Sequence, residues 1–429
     1  MKKILAGLFT LLILNRAAAQ ETIYPAPPQQ GTIALAHGII HIGNGQVIED
    51  GIIVFSNGKI IDVRPYAPIA DIKVIDVTGK HIYPGLINAA TNLGLSEISA
   101  VRATSDEQEV GELNPNIRAL IAYNSDSKII NTLRSNGILL SNIIPQGGII
   151  SGSSSVVQLD AWNWEDAAYK TDGGIHFFVP NLAPEPRYPG APPPTGDKIK
   201  EALERIDKVR AFFREAKAYF EEAQHQHTNL KFESVKGLFN QTQTFFAHAE
   251  LVKEILVASE FAREFNFKTV VVGGTDSWKI AELLKESNIP VLLGQLHSLP
   301  VIQDDDVDQP YKTPYLLQKA GVLFAISDGD GSTRGRNLMF NAGTAAGYGL
   351  TKEEALQSIT LNAAKILGID ATTGTLEKGK DANIVVSDGD ILDMKSNKVT
   401  LAFIQGRQIN LDNKQKQLYE KYKYKYSIK

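Results

Sequence analysis

Residues 83–93 read Tyr83-Pro84-Gly85-Leu86-Ile87-Asn88-Ala89-Ala90-Thr91-Asn92-Leu93, and the character of the chain changes here. From Tyr83 onward, apolar strand-like runs alternate with helical patterns. Residues 137–144, 244–247, 269–272, 290–293 and 322–326 are the clearest runs. Such alternation predicts parallel strands, because each parallel crossover needs a connection long enough to hold a helix. Leu203, Ile206, Val209, Phe213, Ala216, Phe220 and Ala223 recur at helical spacing and predict one long amphipathic helix over residues 198–224. A Pro-rich linker precedes it, and linker and helix together occupy residues 180–227.

Upstream the period is shorter. Residues 33–36, 38–42, 51–55 and 59–63 are short β-type runs separated by Gly-Asn and Asn-Gly turns, which predicts an antiparallel, sandwich-like start. Short strand patterns return at 384–386 and 401–404, with Gly406-Arg407 as a turn, and are expected to rejoin that start. The expected organisation is therefore a domain assembled from residues 20–82 and 374–412, a central unit over 83–373, and a tail over 413–429. Lys and Tyr repeat in the tail, with Tyr422, Tyr424 and Tyr426 on alternate positions, which predicts a frayed or edge-strand segment.

Length and charge narrow the function classes. A chain of 429 residues suits one large barrel with a satellite domain. The net charge of -4 offers no basic face for phosphate backbones, so nucleic acid is not an expected partner. Lys2-Lys3, an apolar run from Ile4 to Leu14 and Ala17-Ala18-Ala19 have the three parts of a secretory signal, with residues 1–19 removed and a periplasmic or secreted product. That run falls short of the roughly 20 apolar residues a membrane span needs, so no membrane partner is expected. The chain has no cysteine, which excludes disulfides and thiolate ligands.

Residues 83–93 resemble the first barrel strand of the amidohydrolase superfamily, which usually reads Pro-Gly-Leu-Ile-Asp-Ala-His-x-His. Gly374-Thr375-Leu376-Glu377-Lys378-Gly379-Lys380-Asp381-Ala382-Asn383-Ile384-Val385-Val386 resembles the family's exit from the barrel, Gly-x-Leu-x-x-Gly-Lys-x-Ala-Asp-Leu-Val-Val. Thr360-Leu361-Asn362-Ala363-Ala364-Lys365-Ile366-Leu367-Gly368 is similar to the helix before that exit. The resemblance spans roughly residues 32–411, on the imidazolonepropionase-like, secreted bacterial branch. It implies an α/β fold: a (β/α)8 TIM-like barrel with a composite β-sandwich from both chain ends, and a site at the C-terminal ends of the barrel strands.

The resemblance also implies chemistry. Active relatives hold zinc or a similar divalent ion with two first-strand histidines, histidines on the fifth and sixth strands and an eighth-strand aspartate that takes the proton of the metal-bound water. Carried over, the first-strand positions are Ala90 and Asn92, the sixth-strand position is Gly273, and only His248 and Asp328 match. A catalytic zinc generally has three protein ligands. One divalent metal held by His248 and Asp328, and no metal at all, therefore stand as equal readings. Two functions follow. One is hydrolysis of a non-peptide C-N bond in a small cyclic amide or related compound, with Asp328 as base and His248 as metal ligand or electrophile. The other is an inactive barrel that binds a small molecule or partners an active paralogue. The resemblance also implies a homodimer by analogy.

Other candidates are weaker in their chemistry. In Pro145-Gln146-Gly147-Gly148-Ile149-Ile150-Ser151-Gly152-Ser153-Ser154-Ser155, Gly147 and Gly148 permit close backbone approach and Ser151 offers a donor, so a loop binding a carboxylate or phosphate competes with a plain structural connection. His297 stands where it would line the barrel mouth, and Asn92 offers an amide for substrate. The segment from Asp160 to Asp166, with Trp162 and Trp164, would wall a pocket or pack in the core. His225 and His227 read as solvated helix-end residues, and His37, His41 and His81 as structural residues of the sandwich region.

Overall fold

The computed structural model describes residues 23–98, 100–183, 197–222, 224–225, 227–302, 304–331 and 334–428. The expected export signal and most of the Pro-rich linker lie outside them. Two eight-stranded sheets organise the chain.

The first sheet is built from both ends. Strands β1 (Ile33–His41), β2 (Val47–Ser56), β3 (Lys59–Pro65), β4 (Lys73–Asp76) and β5 (His81–Pro84) come from the N-terminal side. The early runs at 33–36 and 38–42 are one strand with an irregularity at His37 and Gly38, where β1 exchanges β4 for β5 as its parallel neighbour. A segment near the C-terminus, β14 (Ile384–Ser387), pairs antiparallel with β5 and continues into β15 (Val399–Ile404) and β16 (Arg407–Gln408). Phe55 of β2 packs 5.0 Å from Phe403 of β15, although three strands separate theirs in the sheet order. The sheet therefore curls over a shared core that includes Leu35, Ile53 and Ile384.

The second sheet is a barrel in the order β13, β12, β11, β10, β9, β8, β7, β6. Its strands are β6 (Leu86–Thr91), β7 (Ile138–Ile143), β8 (Ile150–Gln158), β9 (Ala168–Phe178), β10 (Thr244–Ala249), β11 (Thr269–Gly273), β12 (Val291–Leu293) and β13 (Phe324–Ile326). It departs from regular β/α alternation at one strand, since β8 runs antiparallel to both β7 and β9. The loop expected over Pro145 to Ser155 is thus a short turn followed by a fully buried strand. Its serines would be costly there unpaired, and Asp172 satisfies two of them: its carboxylate accepts from Ser153 Oγ at 2.9 Å and its N–H donates to Ser155 Oγ at 2.9 Å.

The barrel interior is apolar at its base, where Ile87, Leu140, Phe246, Val270 and Leu292 meet Ala363 and Ile366 of the helix Leu361–Leu367. The predicted long helix spans Lys198–Glu221 and buries Ile206, Val209, Phe213 and Ala216. Phe213 sits in an aromatic cluster with Phe245, Phe261 and Phe267. The tail differs from the frayed or edge-strand segment expected: Lys414–Lys425 is a helix, opened by the Asn413 side chain accepting from Lys416 N at 2.9 Å. None of the described helices is long and apolar enough to cross a membrane.

Candidate active site at the barrel mouth

Alternation along β10 turns Phe246 into the barrel and carries His248, two residues on, to the same side nearer the mouth. There His248 lines a cavity of about 560 Å³ together with Ala90, Phe178, Glu250, Gly273 and Ser327. Phe178 stacks on its ring at 3.9 Å. Beneath it lies His176 of β9, fully buried and stacked on Phe246 at 4.9 Å. The two imidazoles are joined, His176 Nδ1 to His248 Nε2, at 2.9 Å.

One nitrogen of that pair must donate. His176 Nε2 is buried without a partner among the described residues. If His176 Nδ1–H donates, this orphan is a bare lone pair, whereas the opposite tautomer would bury an orphan N–H, which native structures avoid more strictly. His248 Nε2 is therefore the acceptor. Burial pushes His248 down to about 3 and His176 well below the ordinary histidine value, the proximity of the two rings adding to the effect on His176. Both are neutral at neutral pH.

That pair makes folding pH-dependent in a definite direction. The unfolded chain takes up protons on these histidines below about 6.5, while the folded one resists until near 3 for His248, so stability falls as pH drops through that window. A slope of about 1 kcal/mol per pH unit per histidine is expected, since a proton bound by the unfolded chain alone changes stability by at most about 1.4 kcal/mol for each pH unit. Urea unfolding from pH 7 to pH 4.5 checks it against a His176→Leu, His248→Leu double variant, and an equally steep loss in that variant would remove the pair as the cause.

Asp328 follows β13 and is fully buried. Its backbone is clamped by Asn88 of β6, whose Nδ2 donates to Asp328 O at 2.9 Å and whose Oδ1 accepts from Asp328 N at 3.1 Å. Its Oδ1 accepts from Asp330 N at 3.1 Å, and its Oδ2 has no partner among the described residues. Burial raises this carboxyl above the usual aspartate range, while the Asp330 N–H and Arg334 oppose the rise. Ser327 and Gly329 on either side line the cavity that His248 lines.

At the sixth-strand position the space is not empty. Gly273 has φ +96°, and a Cβ built on it would collide with Glu250 Oε1. The Glu250 carboxylate thus stands where a sixth-strand side chain would begin, held by Thr275 N at 3.2 Å and Thr275 Oγ1 at 2.6 Å on Oε2.

The remaining sequence candidates do not gather here. Asn92 is tied between Glu107 Oε2, to which it donates at 2.7 Å, and Gly331 N, from which it accepts at 3.0 Å. Gly147 and Gly148 pack against the segment from Gln108 to Glu112, which a Cβ at either would strike, so they serve the structural connection and not a binding loop. Ser151 is buried in β8, donates to Pro145 O at 2.9 Å and borders a separate groove. His297 pairs with Thr344 Oγ1 at 2.7 Å. In the segment expected to wall a pocket or pack in the core, Asp160 is a buried ion-pair centre. Sequence reasoning passed over His176 and Glu250 as site residues. His176 was findable as a lone polar residue inside the apolar run from Ile175 to Phe178, but Asp172-Gly173-Gly174 reads as a turn and hid the strand.

The sequence and the fold are similar to known proteins. The model of the amidohydrolase family matches residues 310–409. An imidazolonepropionase of Erwinia tasmaniensis is 27% identical over 379 residues, 81% of this chain and 89% of that protein. A solved amidohydrolase from Thermotoga maritima superposes with a TM-score of 0.76 at 25% identity, covering 88% of this chain and 99% of that one. Over most of its length the chain is similar to members of the amidohydrolase superfamily. A prolidase complexed with N-methylphosphonate-L-proline shares the fold, with a TM-score of 0.56 and 16% identity over 88% of this chain and 99% of that one.

Amidohydrolases usually bind a divalent metal, and the donors here do not fit one. Ala90 has no donor atom, the Asn92 amide is already paired, and Gly273 has no side chain. The His248 Nε2 lone pair is directed at His176. Among the described residues no three His, Asp or Glu side chains converge on a metal-sized site. The polar groups at the mouth are instead His248, bonded to the buried His176 behind it, and the Glu250 carboxylate in the sixth-strand slot, with Asp328 buried between two lining residues.

Proposed function

We propose that this amidohydrolase-family chain binds a small molecule at its barrel mouth without the metal-activated water its relatives use. The observation that carries the reading is the His248–His176 bond, which occupies the retained histidine's Nε2 beside an open cavity whose other ligand positions are Ala90 and Gly273. Export to the periplasm or beyond belongs to the same reading, on the strength of the Lys2-Lys3, apolar and Ala17–Ala19 pattern.

The test is elemental analysis of the chain from residue 20 after dialysis against trace zinc, manganese and iron, beside His248→Ala and Asp328→Ala. The parent is expected to retain far less than one equivalent of metal. A near-stoichiometric metal lost from both variants would overturn the reading.

One observation favours a second reading, C-N hydrolysis of a small cyclic or prolyl amide. The unpartnered Asp328 Oδ2 is a base without a competing donor, and the imidazolonepropionase and prolidase likenesses point to such substrates. Turnover of a cyclic-amide and dipeptide panel by the parent, lost in Asp328→Asn, would bring that reading forward.

A further inference from the structure

We propose that the ligand of this cavity is a protonated amine with an apolar arm, bound by the carboxylate of Glu250. The proposal rests on the reading of the barrel mouth as a small-molecule site and names its ligand class. A second cavity of about 290 Å³ shares Glu250, Gly273, Gly294 and Val301 with the first, so Glu250 stands at their junction. The missing side chain at Gly273 makes that position available.

The charges on the walls have one sign. Among the described residues lining the two cavities there is no Lys or Arg; the ionisable groups are Glu250, Glu254, Asp305 and the neutral His248. Glu254 is used up by the backbone, accepting from Leu182 N, Glu250 N and Leu251 N. Asp305 pairs with Lys279 at 3.1 Å. Arg334, beyond the last strand, is held by Asp330 at 3.3 Å. That leaves Glu250, whose Oε2 is fixed by Thr275 while Oε1 has no hydrogen-bond partner among the described residues.

An anionic ligand would meet this carboxylate with no cation to offset it, and a charge taken from water needs a partner. A cationic N–H donor meets an oriented acceptor. The rest of the walls is apolar, with Phe178, Val272 and Val301 in one chamber and Leu296 and Leu299 in the other, which suits a hydrocarbon or aromatic arm.

The experiment titrates benzylamine, benzyl alcohol and benzoate calorimetrically into the parent chain and Glu250→Gln. Benzylamine is expected to bind about tenfold tighter than benzyl alcohol, the size of one charge-assisted hydrogen bond, and benzoate weakest of all. Glu250→Gln is expected to erase the amine's advantage and leave the alcohol's affinity unchanged. Thr275→Val, which only loosens the carboxylate, is expected to lose part of the advantage. Benzoate binding as tightly as the amine, amine and alcohol binding equally, or an advantage that survives Glu250→Gln would each overturn the amine assignment while leaving a small-molecule site standing. Binding of none of the three would overturn both. If Glu250→Gln does not fold, the ranking of the three probes on the parent chain decides alone.

Discussion

Asp160→Ala is expected to lower folding stability by about 3–5 kcal/mol, the range for removing one partner of a buried ion pair. Asp160 is fully buried. Its Oδ1 meets Arg134 Nη1, and its Oδ2 accepts from Arg407 Nη1 at 3.1 Å and from Ala26 N at 2.8 Å. Arg134 ends the helix Lys128–Arg134 of the barrel layer, and Arg407 lies on β16 of the curled sheet. One carboxylate therefore bridges two guanidinium groups from the two sheets' surroundings and accepts from the entering chain at Ala26 N.

Removing it leaves Arg134 buried beside Arg407 with Asn131 Oδ1 as its acceptor but no carboxylate, where burial already pushes its pKa down. Asp160→Asn keeps the shape and one acceptor, so its loss should be smaller. Urea unfolding with an unchanged dependence on denaturant is the measurement, and a loss below about 1 kcal/mol, the size of a surface pair, would show that the network is dispensable.

The second large effect is expected at Asn88. No ladder joins β13 to β6 among the described residues, and the order of the barrel sheet ends at those two strands. The Asn88 amide bridges the seam by imitating a backbone pair against Asp328. Asn88→Ala leaves a buried carbonyl and a buried N–H without partners, at about 1–3 kcal/mol each, so a total loss of about 2–6 kcal/mol is expected. Asn88→Asp keeps an acceptor for the N–H but no donor for the carbonyl, and should fall between. Hydrogen exchange at the Asp328 amide should rise by orders of magnitude in Asn88→Ala relative to the amides of β10. Unchanged protection would mean that the seam is held by packing alone.

Much of the architecture was legible because hydrophobic periodicity is a local property. The strands around 244–247, 269–272, 290–293 and 322–326 and the helix at 198–224 carry their burial pattern in consecutive residues. The third and fourth barrel strands were not legible, for a physical reason. Ser153, Ser154 and Ser155 have low strand propensity and read as loop, yet they lie in a buried strand where Asp172, on the neighbouring strand, satisfies Ser153 and Ser155. The tail misled in the opposite sense: alternating Lys and Tyr suggest a strand, whereas Asn413 opens a helix that Gln415 ties to Thr132 at 3.1 Å.

The sequence by itself determined the barrel, the sheet shared by both chain ends, and the loss of donors at Ala90 and Gly273, since each is written in residue identity and order. Only the tertiary structure decided what took their place. The bond between His248 and His176, and the Glu250 carboxylate in the Gly273 slot, depend on which strands lie side by side and how their alternate residues face. Residues 72 positions apart become partners only when β9 and β10 are in register, and that register comes from packing the whole barrel.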